Sequence, residues 1–126
     1  MANSADFLEH VVDLARAVGP ADARRMFGGH GVYVDGVIVG LVVDDTLYLK
    51  TDAETRPAFE ARGLTPFRFT SKRKGTVSTS YYQPPEEALE DRTAMREWLA
   101  LAIAAARRAT PSKSKRTGAK AGQARR

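Results

Sequence analysis

Apolar residues near the start of the chain recur at helical spacing. Phe7, Leu8, Val11, Val12, Leu14, Ala15 and Val18 form one stripe that stops at Gly19-Pro20, and Ser4 stands where an N-cap belongs. An amphipathic first helix follows from that spacing. From Arg24 the pattern is that of strands: residues 24–27 and 31–34 read as two short strands, with a tight bend or bulge at Gly28-Gly29 between them. Asp35-Gly36 suits the positive φ angles of a two-residue type I′ turn, and residues 37–43 are a nearly continuous apolar run, fitting a central strand covered on both faces. Beyond a turn at Asp44-Asp45-Thr46, Leu47 and Leu49 share one strand face while Tyr48 and Lys50 share the other.

The second half repeats the alternation. A helix opens between positions 52 and 56, tolerates Pro57 in its first turn, buries Phe59 and ends at Gly63. Phe67 and Phe69 alternate in a further strand, residues 71–75 make a basic turn, and residues 77–82 return as the partner. Pro84-Pro85 stops that strand, Glu86 and Glu87 stand where a helix N-terminus favours acids, and Asp91 can cap a final helix. That helix runs from Arg92 through Arg108, with Met95, Trp98, Leu99, Ala102, Ile103 and Ala106 as the stripe that covers a sheet. The order predicts an α+β domain. Its antiparallel sheet consists of two meander or hairpin units packed against an N-terminal helix, a short middle helix and a long C-terminal helix, unlike a βαβ nucleotide fold.

A chain of 126 residues is most simply one domain, here residues 1–109, with enough length to bury a core without disulfides or metal. The absence of cysteine excludes disulfides, thiolate zinc sites, iron-sulfur clusters and a cysteine nucleophile, and fits a reducing compartment. With no signal-peptide pattern and no apolar segment of roughly 18 residues, the expectation is a cytoplasmic protein without a membrane partner. The net charge of +5 divides sharply: residues 1–106 hold 12 basic and 15 acidic side chains, −3, whereas residues 107–126 hold 8 basic and no acidic ones, +8. Residues 110–126 contain no large apolar side chain and are expected to be a disordered basic tail. Its cations, taken as Arg107, Arg108, Lys113, Lys115, Arg116, Lys120, Arg125 and Arg126, suit nonspecific binding of DNA or RNA.

The run from Arg24 to Gly36 is the richest in candidate chemistry. Gly28, Gly29 and Gly31 match neither a P-loop nor a dinucleotide fingerprint, so they read as residues of turn and close backbone packing. His10 and His30 lack ligand partners at metal-site spacing, and no metal or cofactor is expected. Ser78 and Ser80 lack a nucleophile elbow, and Glu86, Glu87, Glu90 and Asp91 read as a helix start; no catalytic residue is assigned. Arg24 and Arg25 fit either one ion pair beside one solvated arginine, or a fork that receives an anion or a partner's carboxylate. Tyr33, Tyr48, Tyr81 and Tyr82 read as core or sheet-surface residues that would also suit a protein interface.

Taken in order, Arg25-Met26-Phe27-Gly28-Gly29, Gly31-Val32-Tyr33, Asp35-Gly36, Leu47-Tyr48-Leu49-Lys50, Pro66-Phe67, Ser80-Tyr81-Tyr82, Pro85-Glu86 and the Trp98 helix closely resemble the N-terminal domain of the TfoX (Sxy) family. The resemblance spans Phe7 to Ala109. One departure is Thr79, where the pattern has an apolar residue, often methionine. The resemblance implies a noncatalytic relative of regulators of natural competence genes, which assist a cAMP-responsive transcription activator and carry a helical C-terminal domain. The expectation here is a stand-alone form without that second domain. By this reading the candidate interaction residues are Arg24, Arg25, Met26, Phe27, Gly28, Gly29, His30, Gly31, Tyr33, Lys50 and Tyr82, and the partner is a protein of the transcription machinery. A sheet edge or apolar face offers a route to a homodimer. The competing expectation is a small-ligand-binding protein or unrecognised enzyme, with a pocket at Arg25 and the Gly28 to Gly31 loop.

Overall fold

The computed structural model describes residues 4–26 and 28–109. Phe27 and the segment from position 110 onward, on which the expectation of a disordered tail rests, lie outside the described residues. Helix α1 (Ala5–Ala15) starts as its sequence dictates, with the Ser4 hydroxyl accepting the Phe7 amide at 3.1 Å. Then come four strands in meander order: β1 (Ala21–Met26), β2 (Gly29–Val34), β3 (Val37–Val43) and β4 (Thr46–Lys50). Asp35 and Gly36 have φ of 52° and 80°, and Asp44 and Asp45 have 51° and 55°. Both connections thus place two successive residues at positive φ, which suits the right-handed twist of the flanking strands.

Helix α2 (Arg56–Ala61) carries Pro57 in its first turn and buries Phe59 completely. The hairpin β5 (Pro66–Ser71) and β6 (Gly75–Tyr82) follows, then a 3-10 turn (Glu86–Leu89) and α3 (Arg92–Ala109). Asp91 caps α3, its Oδ1 accepting the Thr93 amide at 2.9 Å. All six strands are antiparallel neighbours in one sheet, in the order β1-β2-β3-β4-β6-β5. The two units predicted from sequence therefore merge, with β6 seated beside β4 and β5 pushed to the edge.

The helices cover one face. Val32, Val34, Val39, Val42, Leu47 and Leu49 point into a core shared with Leu14 of α1 and Met95, Leu99 and Ala102 of α3. Phe59 stands between Trp98 and Tyr82, with ring centres 4.8 and 5.9 Å away. A register shift opposite Val32 and Tyr33 leaves Val39 as the extra residue of β3. Through that bulge Val39 and Val42 face the helices while Ile38, Leu41 and Val43 line the opposite side. The expectation that β3 is covered on both faces is corrected accordingly: among the described residues no helix covers its second face, and Ile38, Leu41 and Val43 are only half-buried.

Candidate functional site

Of the glycines at 28, 29 and 31, the first serves a turn and the other two serve close packing. Gly28 has φ +80° with open space around it, as a turn residue requires. At Gly29 a Cβ would meet the Val42 carbonyl oxygen at 2.7 Å, so β2 and β3 can approach only because that atom is absent. A Cβ at Gly31 would meet the Met26 sulfur at 2.7 Å and the ends of Ile38 and Tyr33 at 3.0 and 3.1 Å.

Around these glycines the charged candidates lie on an edge strand. Arg24 and Arg25 are exposed on β1, which among the described residues pairs only with β2. Arg24 contacts Asp22 at 3.4 Å and stacks 4.4 Å from the Tyr33 ring centre. Arg25 has no carboxylate partner among the described residues, so one pair beside one solvated arginine is what the structure contains. His10, outside this region, ties α1 to the 3-10 turn through a 2.6 Å bond from Nε2 to the Leu89 carbonyl.

On the face that no described helix covers, the sheet partly encloses a cavity of about 560 Å³. Ile38, Leu41 and Val43 form its β3 side, Phe67 and Phe69 line it from β5, and Tyr81 from β6. Met26 and His30 close it from β1 and β2. Laid flat, β1 and β5 would stand about 24 Å apart at ~4.8 Å per strand, so side chains from both can line one cavity only if the sheet curls towards this face. Tyr48 braces the wall, its ring 5.0 Å from that of Phe67. Lys50 lies with its Nζ 5.2 Å from the centre of the Tyr81 ring. Burial, and secondarily the neighbouring Tyr33 phenol, push the Tyr81 hydroxyl above its ordinary pKa, keeping it a neutral donor.

The candidate residues are therefore only partly assembled. Met26 and His30 border the cavity, and Lys50 shares its face and lies against the ring of the lining Tyr81, whereas Arg25 and the glycines do not line it. Tyr82 lies on the other face, 7% exposed, donating to Glu60 at 3.0 Å, and burial raises its pKa. Arg107 and Arg108, counted with the tail from sequence, belong to α3 and engage the body. Arg107 lies 3.8 Å from Asp35; Arg108 grips Asp52 through Nε at 2.6 Å and Nη2 at 3.0 Å, and reaches Glu54 at 3.4 Å. With both counted where they pair, residues 1–109 hold 14 basic and 15 acidic side chains, and the body's net charge moves from −3 to −1. Lys113, Lys115, Arg116, Lys120, Arg125 and Arg126 lie outside the described residues.

The residues that sequence reasoning missed are Ile38, Leu41, Val43, Phe67 and Phe69, while Tyr81 was noted only as a sheet residue that would also suit a protein interface. Their signal was present: three amphipathic helices suffice for one sheet face, while β3 is apolar on both and Phe67, Phe69 and Tyr48 add aromatic surface. Among the described residues no group of three or more His, Asp or Glu side chains is placed to hold a metal, and no helix is long and apolar enough to cross a membrane.

Comparison with known proteins matches residues 13–106 to the family model described as TfoX N-terminal domain. A curated relative is the "DNA transformation protein TfoX1" of Aliivibrio fischeri, 30% identical over 86 residues, a span that covers 68% of this chain and 40% of that protein. The chain thus spans about two fifths of the curated relative it matches.

Proposed function

This chain belongs to the TfoX N-terminal domain family, and on that premise we propose that it is a noncatalytic regulatory and interaction domain of a DNA-transformation system, acting on transcription through a protein partner. The family match across residues 13–106 carries the reading, and the name of the Aliivibrio fischeri relative supplies the process. The contact is assigned to β1. An edge strand offers unpaired backbone donors and acceptors to an incoming segment, and Arg24 and Arg25 stand exposed upon it, suiting a partner strand with acidic side chains. The six cations beyond position 112 add nonspecific affinity for nucleic acid.

Tagged chain recovered from its native cells tests this reading. Transcription proteins are expected to co-purify with it, and the Arg24→Glu/Arg25→Glu variant to lose at least about tenfold of that recovery, since two charges reversed at an interface cost several kcal/mol. Recovery of no transcription protein, or equal recovery by a variant with an unchanged melting temperature, overturns the proposal.

A further inference from the structure

The regulatory reading makes no use of the cavity on the helix-free face. We propose that this cavity binds a small amphipathic carboxylate, its apolar body against Ile38, Leu41 and Val43 and its carboxylate held by Lys50 with the hydroxyl of Tyr81.

Size and shape favour a small molecule over a polypeptide. A volume of about 560 Å³ lies within the range of small-ligand sites, which enclose most of their ligand's surface. Met26 from one edge strand and Phe69 from the other line the space, so the cavity takes up the width of the sheet and fits a compact ligand better than a chain running on past either edge. The lining is almost entirely carbon. Apart from His30 and the Tyr81 hydroxyl, every side chain among the described lining residues is aliphatic, aromatic or thioether, and no acid is among them.

Charge selects the class of ligand. Lys50 is half-buried on the same strand face as Tyr48, opposite Tyr81 in the β4–β6 register. Its ammonium sits over the Tyr81 ring and has no carboxylate within ion-pair distance among the described residues. A cation held against the ring of a tyrosine that lines the cavity, with that phenol kept neutral as a donor, is complementary to an anion on an apolar body. A neutral hydrocarbon would leave the ammonium unanswered, and a cation would be repelled by it.

The test titrates the full chain with octanoate and 1-naphthylacetate, and with their neutral counterparts octanol and 2-(1-naphthyl)ethanol, by calorimetry and amide chemical-shift mapping. Saturable one-to-one binding is expected, with shifts centred on β3 and β6 and each carboxylate at least about fivefold tighter than its alcohol. Lys50→Met should erase that preference while leaving alcohol binding intact. Leu41→Trp or Val43→Trp, filling the cavity, should remove binding of both kinds. Should neither tryptophan variant fold, Lys50→Met and Phe69→Ala on the exposed rim decide the matter. Absence of saturable binding, equal affinity for acid and alcohol, or shifts on the helical face would overturn the proposal. So would light scattering showing a dimer that Leu41→Trp dissociates, which would assign the face to a second copy. None of these failures would touch the regulatory reading, which rests on β1 and the family match.

Discussion

Two glycines two residues apart on one face of β2, Gly29 and Gly31, make different demands. At Gly29 the obstacle is a backbone oxygen that cannot move without breaking the β2–β3 ladder, so Gly29→Ala is expected to cost about 2 kcal/mol in urea unfolding. At Gly31 the nearest atom is the end of a flexible methionine, and Gly31→Ala should cost under ~1 kcal/mol, with Met26→Ala lowering that further in the double variant. The need for these glycines was legible in the sequence because the crowding of a hairpin is local. The role of Thr79 was not. Its hydroxyl donates to the Phe67 carbonyl at 3.0 Å and accepts the Tyr81 amide at 3.1 Å, where the β5–β6 register shifts between Pro66 and Arg68. The hydroxyl thereby occupies backbone groups that the bulge leaves without ladder partners. Thr79→Val, which keeps the shape and removes the hydroxyl, should cost about 1 kcal/mol by urea unfolding and selectively raise exchange at the Tyr81 amide.

Among the elements, Asp52 joins two helices remote in sequence. Its Oδ1 accepts the Glu54 and Thr55 amides at 3.0 and 3.1 Å while the Thr55 hydroxyl accepts the Asp52 amide at 3.0 Å, a reciprocal box ahead of α2. The same carboxylate receives Arg108 from the last turn of α3, whose C-terminal dipole also favours that cation. The Arg108 guanidinium foremost, then the two amides, holds Asp52 well below the usual carboxylate range. A carboxylate depressed on folding stabilises the fold above its unfolded pKa and loses that contribution as pH falls towards the folded value. Amides of the final turn of α3 should therefore exchange faster as pH drops below about 4, relative to intrinsic rates. Arg108→Gln should abolish that acid dependence, and Asp52→Asn should retain the α2 cap while releasing α3. Caps, turns and helix stripes were readable because each is written within a few residues. The Asp52–Arg108 pairing spans 56 positions and left no local trace; it removes one cation from the count assigned to the tail, as the Arg107–Asp35 contact removes another.

For the molecule as a whole, the sequence showed α+β layering but not how the sheet closes. Cavity lining comes from five strands, and only the sheet's curl and the seating of β6 beside β4 bring them together. Redistribution of Arg107 and Arg108 has a measurable counterpart. The six remaining cations allow a log-affinity versus log-salt slope for duplex DNA no steeper than about −5, and removal of residues 110–126 should flatten it. Pairing between β4 and β6 is the narrowest join in the sheet. Only Leu49 with Tyr82 and Lys50 with Tyr81 are in register there, extended by the Thr51 amide to the Ser80 carbonyl at 2.8 Å. These partners are more than thirty residues apart, whereas β1 to β4 close through successive short hairpins, so the meander can nucleate first and the β5–β6 ribbon dock late. In native-state hydrogen exchange, β5 and β6 should open as a unit at lower free energy than β2 and β3. Because that ribbon brings Phe67, Phe69 and Tyr81, the enclosure on the curled face would be the last part of the protein to form and the first to come undone, and a molecule bound within it would slow that opening.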